Sequence, residues 1–179
     1  PTWLHSHKEC QEEKSMSWIE PVTYETAPSA VKEYLDKNGH QNLTRSRKIA
    51  WQLKNYVVYD TVEENAWRMD AEVQKLVGKR YGDLLEYTIA ALSNSSICTE
   101  YYTKCLTDQG IYPDNPDYDE KDQAVIDFAT AVVQNNGQIP ETVRAALLKN
   151  FNEEQIAVLA GMAVACSGDI LYERIFDLR

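Results

Sequence analysis

The feature that most constrains this chain is the run of residues 45–77, which contains neither proline nor glycine. Apolar side chains recur through it at intervals of three and four, the spacing that places them on one face of an α-helix. The recurring apolar positions are Ile49, Leu53, Tyr56, Val57, Val62, Trp67, Val73 and Leu76. No alternating strand pattern competes with this spacing. The run therefore predicts two helices, with a break near Asp60 or Asp70.

Two further segments show the same helical spacing and end at residues that favour helix termini. Residues 30–38 predict a short first helix, because Gly39 follows where a helix end tolerates positive φ. Residues 82–92 carry a single apolar stripe and are followed by residues 93–96, with the sequence SNSS. Such small polar side chains compete with helical backbone bonds and favour caps. A new helix is therefore expected from this cluster to Asp108.

The last third of the chain continues the helical pattern after a loop rich in proline and aspartate at residues 112–122. A helix with an apolar face follows the loop, and Pro140 suits the start of the next one. Asn152 and Gln155 have the spacing of a capping box, which predicts that the last long helix begins there. The chain is therefore predicted to be all-α, an irregular helical bundle.

Length and charge limit the classes of function that this chain can serve. The 179 residues suit one domain, predicted at residues 18–179, preceded by a polar, non-periodic N-terminal extension at residues 1–17. The formal charge of -10 disfavours nucleic acid and anionic membrane surfaces as partners. The longest uncharged apolar run, residues 156–166, is shorter than the ~20 residues of a membrane span. Four irregularly spaced cysteines favour reduced thiols, and we expect a cytoplasmic protein.

The best candidate for chemistry is Cys98, in the first turn of the helix that follows the SNSS cluster. Unpaired backbone N–H groups and the helix dipole favour a thiolate at such a position. Glu86 precedes Cys98 by twelve residues, so its carboxylate can face the thiol if the two helices pack as an antiparallel or angled pair. A carboxylate raises the thiol pKa unless it accepts the proton, and the sign of the net shift stays open. The plainer alternative is a small buried thiol beside a salt-bridged carboxylate.

The same residues carry a family resemblance. Glu86 and Cys98 match the motif Glu, eleven residues, Cys, two residues, Cys, three residues, His, and Ser93 lies where members have a serine. The sequence LLEYTIAALS at residues 84–93 is also typical. The chain thus resembles the alkylhydroperoxidase D-like family, which includes carboxymuconolactone decarboxylase-like proteins, over most of residues 18–179. The resemblance implies a bundle of the alkylhydroperoxidase D-like type and a homo-oligomer, commonly a trimer or a hexamer.

The chain departs from that motif at two positions, because Tyr101 replaces the second cysteine and Cys105 replaces the histidine. It therefore cannot run the dithiol-disulfide cycle of members with the full pattern. Seven residues along one helix separate Cys98 from Cys105 by about 10 Å, beyond the reach of a disulfide. A resolving thiol would have to come from Cys10, Cys166, another subunit or a small molecule. The hydroxyl of Tyr101, or of the tyrosine after it, could join a proton relay.

Three functions are compatible with these residues. The first is a thiol-dependent, peroxidase-like antioxidant oxidoreductase that uses Cys98 with an external thiol reductant, with Glu86 and Tyr101 as further catalytic residues. The second is a non-redox carboxymuconolactone decarboxylase-like enzyme acting on a small carboxylated substrate, although only Lys104 and Arg80 are cationic groups close to the motif. The third is a family member without catalytic activity that serves as an assembly or binding module.

No cofactor or metal is expected. His5, His7 and Cys10 offer three metal-capable ligands in the polar extension, whereas structural zinc sites usually have four. The acidic loop at residues 114–122 lacks the glycine and the terminal glutamate of a calcium-binding loop. This loop is predicted to be a solvated linker with a helix cap.

Overall fold

A computed structural model of the chain describes residues 17–44, 48–114 and 116–178, and all regular structure within these residues is helical. The predicted all-α fold is thereby confirmed. Nearly all of the predicted N-terminal extension, including His5, His7 and Cys10, lies outside the described residues. The helices are α1 Ser29–Asn38, α2 Ile49–Gln52, α3 Tyr56–Tyr59, α4 Asn65–Leu76, α5 Lys79–Leu92, α6 Ser96–Thr107, α7 Glu120–Gln134, α8 Glu141–Asn150 and α9 Glu153–Ile175.

The run of residues 45–77 is divided differently from the prediction of two helices. Its described part holds α2, α3 and α4, and the break lies at residues 53–55 rather than near Asp60 or Asp70. Asn55 makes this break, because its extended backbone leaves the helix and its side chain accepts a hydrogen bond from the Val57 N–H at 2.9 Å. At Asp60 the helix widens into a π-helical turn, Asp60–Glu64, and then continues as α4 without interruption.

The other helix ends follow the local chemistry predicted for them. Gly39 ends α1 with a φ of 101°, and the SNSS cluster separates α5 from α6. Ser95 caps α6 by accepting a hydrogen bond from the Cys98 N–H at 3.2 Å, which places Cys98 in the first turn as predicted. Asn152 and Gln155 form the predicted capping box of α9. Each of these helix ends is stabilised by residues a few positions away in the sequence, so the sequence was sufficient to predict it.

The described residues form two hydrophobic core clusters. The larger one is built around α5, which packs against α6, α7 and α9, and its buried face includes Leu84, Leu85 and Ile89. The smaller cluster joins α1 to the segment of α2 and α3 through Leu35 and Tyr59. This second cluster includes Ile49, which directly follows Lys48, and Lys48 itself pairs with Asp169 of α9.

Helix α9 has 23 residues and is long and apolar enough, by length and composition alone, to cross a membrane. The uncharged apolar run at residues 156–166 is shorter than this helix, because Ser167 and then Asp169 and Glu173 interrupt the apolar sequence. One face of α9 is buried in the core, and both carboxylates lie on that face. Core helices of globular proteins meet the same length and composition criteria, so the predicted cytoplasmic location stays a prediction.

Candidate functional site

The three residues predicted from the motif line one cavity. It has a volume of about 290 Å³ and lies between α4, α5, α6 and α9, with Lys48 also in its wall. Glu86 reaches the cavity from α5, and Cys98 and Tyr101 reach it from α6. The polar turn between α5 and α6 therefore brings two residues twelve positions apart to the same space.

Cys98 lies in this cavity wall as a buried thiol, with only 6% of the residue exposed. Its Sγ donates a hydrogen bond to Glu173 Oε1 at 3.2 Å and lies 4.0 Å from Lys48 Nζ. Burial raises the pKa of the Cys98 thiol to about 11, with Lys48 opposing and Glu173 adding to the rise. The carboxylate bonded to the thiol is therefore Glu173, and the helix start does not by itself produce a thiolate.

Below Cys98 lies a buried cluster of charged and polar side chains. Lys48 forms an ion pair with Asp169, and its Nζ lies 3.6 Å from Glu173 Oε1. Ser95 Oγ donates to the other oxygen of Glu173 at 2.6 Å, and Gln52 Nε2 donates to Asp169 Oδ1 at 3.3 Å. Because every one of these groups is buried, the hydrogen bonds and the ion pairs must offset a large loss of hydration.

Sequence reasoning missed Lys48, Asp169 and Glu173, which are far from Cys98 along the chain. A signal for the two carboxylates is nevertheless present. They stand four residues apart, on one face of an otherwise apolar helix, and such charges need a buried partner. No comparable pattern marks Lys48 as that partner, because only the folded chain brings α9 to the segment before α2.

The same cluster contains metal-capable ligands. Cys98 Sγ and one carboxylate oxygen each from Asp169 and Glu173 lie within 4.8 Å of one another. The ammonium of Lys48 already supplies positive charge among these atoms. A divalent cation could occupy the cluster only if Lys48 withdrew, so the chemistry that the residues support directly is proton transfer between a thiol and a carboxylate.

Glu86 is almost fully buried, and its partner is a neighbouring tyrosine. Tyr102 donates its hydroxyl hydrogen to Glu86 Oε1 at 2.6 Å. Burial raises the pKa of Glu86 to about 8, although the Tyr102 hydrogen bond lowers it in part. At neutral pH Glu86 is therefore mostly a neutral acid with a proton to give, a property common in catalytic carboxyl groups.

Tyr101 takes a different place from the one its motif position suggests. It is 63% exposed at the cavity, and its ring packs edge-on against Tyr102 with centroids 5.0 Å apart. The hydroxyl that contacts the buried carboxylate belongs to Tyr102. Tyr101 is therefore positioned to meet a molecule that enters the cavity, whereas Tyr102 is positioned to relay a proton.

The two cations that were predicted near the motif do not line the cavity, whereas Lys79, which directly precedes Arg80 in the sequence, does. Lys104 pairs with Asp108 at the surface, and Arg80 forms a two-bond pair with the buried Asp122. The lysines in the cavity wall are Lys48 and Lys79, and each is paired with a carboxylate. The carboxyl groups in the same wall are Glu63, Asp70, Asp83, Glu86 and Asp169.

The described cysteines, Cys98, Cys105 and Cys166, are all free thiols. Cys105 is half-buried and is absent from the cavity wall. Cys166 is buried on α9, and its pKa is raised by burial and, to a smaller extent, by Glu86 and Cys98. Whether Cys166 can serve as a resolving thiol for Cys98 stays a prediction.

No protein-family model matches this chain, and no curated protein matches it in sequence. Membership of the alkylhydroperoxidase D-like family therefore stays a prediction. The chemistry of the site has to be interpreted from its own geometry.

Proposed function

We propose that this protein is a thiol-dependent, peroxidase-like oxidoreductase in which Cys98 is the nucleophile and an external thiol is the reductant. The observation that carries the proposal is the setting of Cys98. Its sulfur lies in the wall of a cavity, 3.2 Å from a carboxylate oxygen that can accept its proton and 4.0 Å from an ammonium that stabilises a thiolate.

The proposed oxidation step uses two carboxyl groups in opposite roles. Glu173 accepts the thiol proton as the sulfur of Cys98 attacks the peroxide oxygen, so that an S–O bond forms and the O–O bond breaks. The leaving alkoxide takes a proton from Glu86, which is mostly protonated at neutral pH. The products are an alcohol and a sulfenic acid on Cys98, which is oxidised by two electrons.

An external thiol completes the cycle. Its sulfur displaces water from the sulfenic acid and forms a mixed disulfide with Cys98. A second external thiol then releases the free Cys98 thiol and leaves as a disulfide, so that the pair of external thiols supplies both electrons. This route needs no second cysteine in the motif, which is compatible with tyrosine at position 101.

The proposal is tested by peroxide turnover with dithiothreitol as the reductant, combined with mass spectrometry of all four cysteines after mild hydrogen peroxide treatment. Cys98→Ser should abolish turnover and remove the sulfenic acid. Cys105→Ser is the matched control, since it changes a cysteine of the same helix outside the cavity wall, and it should leave both unchanged. Turnover that survives Cys98→Ser would refute the proposal.

A second measurement separates the two effects of Glu173 on the thiol. Its carboxylate raises the pKa of Cys98 and also accepts the thiol proton. In Glu173→Gln the pH at which iodoacetamide alkylation of Cys98 reaches half its maximum should therefore fall by about 1–3 units. Peroxide turnover should nevertheless slow, because the proton acceptor is lost. Faster turnover in this variant would contradict the assigned role.

The residues of the site give the non-redox enzyme less support. The protein without catalysis would be supported by a different experimental result. A carboxylated substrate would enter a cavity whose lysines are already paired and whose wall carries several carboxyl groups, which disfavours an anion. The raised pKa of the Cys98 thiol favours a protein without catalysis. A Cys98 that resists peroxide at every pH at which the fold persists would support that third function.

A further inference from the structure

Helix α9 presents an apolar stripe on the face opposite the core. Its six positions follow one another at intervals of four, three, four, three and four residues, the repeat of two helices that pack along their length. Three of them are large and exposed, since Val164, Leu171 and Ile175 keep 74%, 56% and 52% of their surface accessible. The other three positions are the small residues Ala157, Gly161 and Gly168, of which Gly161 is half-buried beside the flexible end of Met69.

The end of this stripe is extended by a tryptophan from the start of the domain. Trp18 donates its indole N–H to the Ile175 carbonyl oxygen at 2.7 Å and stacks on Phe176 with ring centroids 5.3 Å apart. It is nevertheless 70% exposed. An exposed apolar surface that runs the length of a helix and includes a tryptophan is typical of an interaction site.

The order of large and small residues identifies a specific partner. Each small residue of the stripe lies the same number of residues from Cys166 as a large residue on the opposite side of Cys166. Gly168 corresponds to Val164, Gly161 to Leu171, and Ala157 to Ile175. A rotation of 180° exchanges the large and the small positions, so this surface is complementary to itself. Such self-complementarity is the requirement for a two-fold contact between identical subunits.

We propose that this stripe binds the same stripe of a second copy of the chain, with the two α9 helices antiparallel and level with each other at Cys166. In this register Val164 and Ile175 enter the spaces left by the partner's Gly168 and Ala157, and Leu171 reaches the partner's Gly161 once the flexible end of Met69 moves aside. The matched positions span about 27 Å of helix at 1.5 Å per residue. The proposal does not depend on the catalytic role of Cys98.

Charge favours the antiparallel direction over the parallel one. The first turn of α9 carries Glu153 and Glu154, and the last turn carries Arg174. In the antiparallel register the partner's Arg174 lies about 6–8 Å along the helix axis from Glu153 and Glu154, at 1.5 Å per residue. Parallel helices would instead bring the two acidic turns together, which is repulsive.

The two-fold contact also decides between the assemblies that the family resemblance implies. A cyclic trimer contains no two-fold axis, so it cannot use a contact in which both copies present the same surface. A dimer or a hexamer with three-fold and two-fold axes can. The expected assembly of this chain therefore has an even number of subunits.

The first test is the subunit number of the full chain, measured by sedimentation velocity over a range of concentrations. The wild type should be dimeric or hexameric, and Val164→Glu should weaken the contact at least tenfold. Leu148→Glu is the matched control, because it puts the same charge at a position of α8 that is 63% exposed. A wild-type monomer, or equal effects of the two variants, would overturn the proposal.

A second pair of variants tests the register itself. A Cβ at Gly168 would meet nothing within 4 Å in its own chain, so Gly168→Val should fold yet clash with the partner's Val164. The double variant Val164→Gly, Gly168→Val exchanges knob and hole, keeps the number of glycines in α9, and should restore the contact. Failure of the double variant to recover beyond Gly168→Val would overturn the antiparallel register.

Lipid is the competing occupant, because α9 also meets the length and composition criteria of a membrane span. Co-sedimentation of the wild type with phosphatidylcholine vesicles is therefore measured in parallel. Binding to vesicles by a monomeric wild type, lost in Val164→Glu, would assign the stripe to a membrane and overturn the proposal. A dimer or hexamer that stays in the supernatant supports it.

Discussion

Replacing Lys48 with methionine would remove the single ammonium group from the buried cluster below Cys98 while keeping a side chain of similar length. Lys48, Asp169 and Glu173 are 7%, 8% and 4% exposed, so water cannot replace the lost charge easily. Asp169 loses its ion-pair partner, and Glu173 loses the cation at 3.6 Å. Two carboxylates would then face each other in a poorly hydrated space.

The expected cost follows from that burial. Removing one partner of a buried ion pair costs about 3–5 kcal/mol, because the remaining charge stays desolvated. For a domain of this size, 1 kcal/mol corresponds to about 2–4 °C in the melting temperature. Lys48→Met should therefore lower the melting temperature by about 6–20 °C. The loss is a large share of the roughly 5–15 kcal/mol that holds a typical domain folded.

Urea unfolding followed by far-ultraviolet circular dichroism measures this loss, with Lys104→Met as the matched control. That control breaks the Lys104–Asp108 pair, whose side chains are 74% and 62% exposed, and should leave the stability nearly unchanged. A triple variant, Lys48→Met with Asp169→Asn and Glu173→Gln, removes all three charges. It should recover much of the loss, because neutral replacement of a whole buried ion pair is often tolerated.

Two results would refute the reasoning. If Lys48→Met costs no more than Lys104→Met, the cluster is hydrated and its charges do not need one another. If the triple variant is as unstable as Lys48→Met alone, the loss comes from packing of the lysine stem and not from unpaired charge.

The remaining predictions concern a buried acid and a close helix contact. Burial raises the pKa of Glu86 from 4.5 to about 8, so its contribution to stability is complete below pH 4.5 and is lost as the pH rises to 8. Glu86→Gln should thus be more stable than the wild type at pH 9, by on the order of 4–5 kcal/mol in urea unfolding, and nearly equal at pH 5. Glu100→Gln, at an exposed position of α6, should show no such change, and equal curves for all three proteins would contradict the burial of Glu86. Gly82→Ala would bring a Cβ within 2.8 Å of a Val73 methyl carbon and should cost about 1–3 kcal/mol in the same assay. Gly161→Ala meets only the flexible end of a methionine and should cost less, so the reverse order would refute the close contact of α4 and α5.

Local chemistry made most helix ends predictable. Gly39, Ser95 and Asn152 each act on backbone groups within a few residues, so their effect can be inferred without the fold. The break at Asn55 uses the same chemistry and could have been found. Apolar residues recur at intervals of three and four across residues 53–55, so the spacing predicted a continuous helix there in spite of the capping residue Asn55.

The candidate site was predictable in part, for a different reason. Motif spacing identified Cys98 and Glu86, because α5 and α6 adjoin in sequence and a short turn brings them together. Tyr101 and Tyr102 follow one another on α6, and sequence did not distinguish the exposed ring from the buried hydroxyl that contacts Glu86. That distinction depends on which side of α6 meets α5.

The sequence alone determined the helical class, most of the helix ends, the place of Cys98 in a first helical turn, and the alternation of large and small residues along α9. These properties follow from spacing and from contacts between near neighbours. The hydrogen bond from the thiol to Glu173, the position of Lys48 beside both, and the burial that raises the pKa of Cys98 and Glu86 became apparent from the folded chain. Desolvation and ion pairing depend on segments distant along the chain, so no local pattern could reveal them.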